Sequence, residues 1–125
     1  MSNLSETHAK IFLEGTNCAQ AVAYAFCEKY GIEKETAKAL LSGFGSGMRS
    51  GEMCGAVSGA IMIIGIANKS DTQVVAKLTA EFVKKFKDKF EFLRCADLPR
   101  NPLAPRQTCA EYVKHAIEIL EEMGF

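Results

Sequence analysis

Three of the five cysteines in this chain fall where helices should begin: Cys18 after Asn17, Cys54 after Ser50-Gly51-Glu52-Met53, and Cys109 after Thr108. A helix N-terminus offers N–H groups without intrahelical partners and the positive end of the macrodipole. Both favour a thiolate over a thiol. The thiolate attacks disulfides and ligates metals, so this placement predicts a cysteine-based site, redox or metal. In the redox reading a low-pKa thiolate attacks a disulfide and a second cysteine resolves the product. Cys54 is the expected nucleophile and Cys18 its resolving partner, with Cys95 and Cys109 as a second pair. In the metal reading Cys18, Cys54, Cys95 and Cys109 are four thiolate ligands of zinc or an iron–sulfur cluster. A third reading is a non-enzymatic helical module whose glycine loop docks a partner.

These four cysteines are 36, 41 and 14 positions apart, with no Cys-x-x-Cys pair, so only the tertiary fold can assemble a site from them. Cys27 lies past the middle of its helix and is expected outside the cluster. Residues 43–51 hold four glycines, at 43, 45, 47 and 51, and lead into Cys54. This loop lacks the Gly-x-Gly-x-x-Gly spacing and the Lys-Ser/Thr pair of phosphate-binding loops. Arg49 beside a helix start is an anion-binding candidate. A tight loop that lets backbone approach Cys54 is the plainer expectation. His8 and His115 are isolated and read as surface or boundary residues.

The elements that must position the cysteines are helical. The patterning predicts an all-α single domain over residues 1–125, a bundle of about five helices with a buried central helix. Short helical stretches at 6–14 and 34–42 flank a longer one at 18–30, which Asn17 and Gln20 open as a capping box and Gly31 ends. Residues 53–67 are apolar on every side, which predicts a helix covered all round. Gly55, Gly59 and Ala60 give it a smooth face for close approach. Asp71 caps a helix to residue 90 whose stripe is Val75, Leu78, Phe82, Phe86 and Phe90. Pro99, Pro102 and Pro105 predict an irregular path from 94 to 107. A last helix is expected from Thr108, with Glu111 completing a second capping box. Cys18, Cys54 and Cys109 then lie on inward stripes near the starts of three helices, and at least three of the four sulfurs should cluster.

The composition is 48% hydrophobic and 24% charged, which is globular, and Lys plus Arg (15) balances Asp plus Glu (15). That balance argues against nucleic acid or an anionic membrane as partner. The apolar segment is shorter than the roughly 20 residues of a membrane span. The first residues lack a basic start and an apolar run, so a cytoplasmic protein is expected, where cysteines serve metals or catalysis more often than structural disulfides. The expected partner is a redox protein or a small thiol or disulfide, with a homo-oligomer open.

The chain resembles the C_GCAxxG_C_C family, whose members are described as redox-active on the strength of their cysteines. The matching residues are Asn17-Cys18-Ala19-Gln20-Ala21-Val22, Gly43 to Gly47 with Met48 and Gly51, Cys54-Gly55-Ala56-Val57-Ser58-Gly59-Ala60, Cys95, and Cys109 with Tyr112-Val113. The family's label writes Gly-Cys-Ala-x-x-Gly where this chain reads Cys54-Gly55-Ala56-x-x-Gly59. The resemblance implies a small helical, redox-active cytoplasmic protein and leaves its substrate open.

Overall fold

The computed structural model describes residues 3–69 and 71–125. Among them are six α-helices: α1 (Asn3–Leu13), α2 (Cys18–Cys27), α3 (Lys34–Leu41), α4 (Gly55–Ala67), α5 (Thr72–Phe90) and α6 (Pro105–Glu122). The class is all-α, as the patterning predicts, with one helix more than the expected count of about five.

Local chemistry explains the boundaries. At the start of α2, Asn17 Oδ1 accepts the Gln20 N–H at 2.8 Å and Gln20 Oε1 accepts the Asn17 N–H at 3.0 Å, the expected capping box. α2 ends at Cys27, short of the expected Tyr30, where the Ile32 N–H reaches back to the Cys27 carbonyl at 2.9 Å across Gly31 at φ +71°. Asp71 caps α5 by accepting the Val74 N–H at 3.2 Å. α6 corrects an expectation: it starts at Pro105, not Thr108. Proline suits the first helical position, where its missing N–H has no intrahelical partner to lose. Thr108 serves the preceding turn instead, donating to the Ala104 carbonyl at 3.2 Å and accepting the Asn101 N–H at 3.1 Å.

α4 is the central helix, in contact with α2, α5 and α6. Its Val57, Ala60, Ile63 and Ile64 are fully buried against Val22 and Phe26 of α2, Phe82 and Phe86 of α5, and Val113, Ile117 and Leu120 of α6, all part of one core. The α2 contact is backbone on backbone. A Cβ on Gly59 would stand 2.5 Å from the Ala19 carbonyl oxygen and 2.9 Å from its Cα. α4 is not covered all round, because Ile61 and Met62 are only half-buried and line a shallow apolar depression with Leu40, Leu41 and Phe44. Among the described residues no helix is long and apolar enough to cross a membrane.

The two glycines on α4 therefore separate in effect. Gly59→Ala must push α2 away and should destabilise by about 1–3 kcal/mol, the usual cost of overpacking. Gly65 has nothing within 4 Å of a built Cβ, so Gly65→Ala should stabilise by about 0.5–1 kcal/mol through helix propensity. Urea unfolding of the two variants checks the opposite signs.

Candidate functional site

The approach to Cys54 is a left-handed turn. Ser46, Gly47, Met48 and Arg49 have φ of 53°, 62°, 59° and 61°. An L-residue there costs about 1–2 kcal/mol, and three of these are not glycine. Gly47 is required for a second reason: its Cβ would lie 2.6 Å from the Glu52 nitrogen and 2.7 Å from the Cys95 Cβ. The turn closes with the Glu52 N–H on the Gly47 carbonyl at 3.1 Å. The chain then pairs antiparallel with the segment after α5. The Cys54 N–H donates to the Leu93 carbonyl at 2.8 Å, the Cys95 N–H to Glu52 at 2.6 Å, and the Ala96 N–H to Gly51 at 3.0 Å. This short backbone clasp lays Cys95 beside the start of α4.

Cys18 opens α2, Cys54 caps α4, Cys109 lies early in α6, and Cys95 comes from the clasp. All four line one cavity of about 390 Å³, with Arg49, Arg100 and Arg106 among the other lining residues. Cys27, buried on α2, does not line it. Gly55 keeps the cavity tight, since its Cβ would lie 3.0 Å from the Cys18 Cβ. All five cysteines are free thiols in this structure. Among the described residues no three His, Cys, Asp or Glu side chains stand together as a metal-ligand group. His8 is buried on α1 with Nδ1 2.9 Å from the Leu4 carbonyl, and His115 sits among Glu111, Glu118 and the Phe90 ring, so neither joins the cysteines.

One guanidinium organises two of the sulfurs. Arg100 Nε donates to Cys109 Sγ at 3.0 Å and Nη2 donates to Cys95 Sγ at 2.8 Å. These two nitrogens form one edge of the planar group, the edge that elsewhere grips a carboxylate's two oxygens. Nη1 is anchored on the Cys95 and Leu98 carbonyls at 2.7 and 3.2 Å. The Tyr112 hydroxyl donates to the Pro99 carbonyl and ties the proline segment to α6.

The thiols differ sharply in acidity. Cys109 is lowered to about 6, first because the Cys18 thiol donates a hydrogen bond to its sulfur, then, against the opposing effect of burial, through Arg100 and Arg106. Cys18 is correspondingly held as the thiol by that bond, by burial and by the neighbouring cysteines. Cys54 is pushed up to about 11 by burial, which outweighs the N–H groups of Ala56 and Val57 that point at it. The helix-start effect is therefore present at Cys54 and too weak. The low-pKa thiol is Cys109, not the expected Cys54. Arg100 and Arg106, which the sequence reading passed over, had one visible signal: they are the cations that fall between Cys95 and Cys109.

The comparison with known families places the chain. Residues 16–123 match the family described as "Putative redox-active protein (C_GCAxxG_C_C)", and the chain belongs to that family. No curated protein sequence and no solved structure matches it.

Iodoacetamide alkylation of the reduced protein should therefore label Cys109 first, with a pH midpoint of about 6, while Cys54 lags until the solution is strongly alkaline. Arg100→Gln should raise that midpoint toward the ordinary thiol range. Linkage gives a second readout. Cys109 ionises at about 6 when folded and about 9 when unfolded, so folding stability should rise with pH across that window. Timed peptide mapping and urea titrations at several pH values check both. A Cys109→Ser variant should lose the slope.

Proposed function

We propose that this protein carries out thiol–disulfide exchange with Cys109 as nucleophile and Cys18 as resolving thiol. One observation carries the reading: Arg100 donates to the Cys109 sulfur from 3.0 Å in the cavity that Cys18 also lines. Attack by the Cys109 thiolate on a disulfide forms a mixed disulfide and releases one thiolate. Cys18 then attacks the Cys109 sulfur, loses its proton to the departing groups and expels the second thiol. The products are a Cys18–Cys109 disulfide and two substrate thiols, so two electrons pass from protein to substrate. A dithiol or redox partner protein must return them before the next turnover. The acidity of Cys109 and its bond from Arg100 favour Cys18 with Cys109 over the Cys54–Cys18 pair expected from the sequence. Cys54 and Cys95 line the same cavity.

The metal alternative would need three or more donors brought together around one ion. Thiol–disulfide exchange needs only two cysteines, and Cys18 and Cys109 line the same cavity. Reduced protein treated with a small disulfide should yield a Cys18–Cys109 disulfide by peptide mapping. Cys18→Ser should trap the mixed disulfide on Cys109, Cys109→Ser should lower the rate by a factor of 100 or more, on the order of the thiolate fraction lost at neutral pH, and Cys27→Ser should change neither. First attack at Cys54, or stoichiometric metal and labile sulfide in protein purified without oxygen, would overturn the reading.

A further inference from the structure

The cavity that holds the cysteines is lined by three arginines and by no aspartate or glutamate. This is unexpected in a chain whose charges balance overall. Arg100 is committed to the Cys95 and Cys109 sulfurs. Arg49 and Arg106 are not used in that way. Among the described residues neither makes an ion pair with a carboxylate, whereas Arg94 pairs with both Glu52 and Asp97 on the outside. Arg49 is exposed at the end of the left-handed turn. Arg106 lies on the Phe12 ring, 4.2 Å from its centroid, and Nη2 donates to the Phe12 carbonyl. That fixes the plane of its guanidinium and leaves other N–H groups for a ligand. Two guanidinium groups without carboxylate partners, lining one cavity that has no acidic side chain, suit an anionic group.

We propose that the cavity selects small disulfides that carry carboxylates, with Arg49 and Arg106 receiving the anionic group while the disulfide meets Cys109. This rests on the thiol–disulfide reading and names its substrate class. The size agrees: a cavity of about 390 Å³ falls among small-molecule sites, roughly 300–1,000 Å³. A planar guanidinium also grips a carboxylate through two parallel hydrogen bonds. Arg49 and Arg106 are positioning residues, since the bond-making sulfur is Cys109.

The test compares three disulfides of similar size: dithiodipropionate (anionic), hydroxyethyl disulfide (neutral) and cystamine (cationic). The rate of Cys18–Cys109 disulfide formation is measured at low and high salt. The anionic probe should react about tenfold faster than the neutral one and cystamine slower still, an effect of a cleft lined by one sign of charge. High salt should compress the series. Arg49→Gln should bring the anionic-to-neutral ratio toward one, and Arg49→Lys should restore it in part. Equal rates with all three probes, with the disulfide still forming, would overturn the substrate class and leave the exchange reading standing. If no disulfide reacts, the exchange reading falls and a binding measurement decides the rest. Suberate is dithiodipropionate with CH₂–CH₂ in place of S–S, and it is titrated against octanediol by NMR. Saturable shifts at residues 47–51 and at Arg106 with suberate alone would support the anion site. Their absence would overturn it.

Discussion

The contact on which the site depends is the backbone approach of α2 to α4 at Gly55 and Gly59. With a Cβ at Gly59 set to fall 2.5 Å from the Ala19 oxygen, any side chain there would drive the two helices apart. The approach places the start of α2 beside the start of α4, and so Cys18 beside Cys54. The clasp of residues 51–54 with 93–96 then has one position available to it, and Cys95 arrives against Gly47 with no room for a side chain between. α6 completes the ring by packing on α1, α2 and α4, which carries Cys109 to the same end of the bundle.

With the four cysteines lining one cavity, their ionisation is decided by a competition whose magnitudes are known. Helix-end dipoles contribute roughly 0.3–1 kcal/mol. Hydrogen bonds to a charged group contribute about 1.5–3 kcal/mol each. Burial of a thiolate works against both. Cys54 has the helix end and deep burial, and it remains a thiol. Cys109 has a half-buried sulfur, the Cys18 thiol and an Arg100 nitrogen, and it ionises. The division of labour between an acidic thiol and a protonated neighbour is what an attacking and a resolving cysteine need, since only one of them should be charged when the substrate arrives.

The left-handed turn from Ser46 to Arg49 is the costly part of this architecture. Such conformations persist only where surrounding structure holds them. Here the support is identifiable: the Gly47 carbonyl accepts from Glu52 at 3.1 Å and from the Ser50 hydroxyl at 3.0 Å, and Gly51 is bound to Ala96. The same turn sets Arg49 at the cavity rim. Strain, cysteine placement and the cations without carboxylate partners therefore coincide at one end of the molecule, while further along α4 Ile61 and Met62 line only an apolar depression.

By itself the sequence determined the helical class, the Asn17–Gln20 and Asp71 caps, the smooth face of α4 and the separation of Cys27 from the other cysteines. These are local properties, written in periodicity and in residues that act on neighbours three or four positions away. It also pointed to Cys18, Cys54 and Cys109, because placement before or near a helix start is itself a local signal, and to Cys95 only through the family resemblance and the proline segment that it precedes. It misplaced the start of α6, where Pro105 served as a first helical residue instead of a breaker. It also read α4 as covered on all sides, which depends on how many neighbours the fold supplies. Only the tertiary structure decided which thiol is acidic. Acidity follows burial and through-space partners, and the partners of Cys109 are Cys18, 91 positions away in the chain, and Arg100, whose edge is aimed by the Cys95 and Leu98 carbonyls. A pattern along the chain records which residues are present, and the distances between their charges exist only after the chain has closed on itself.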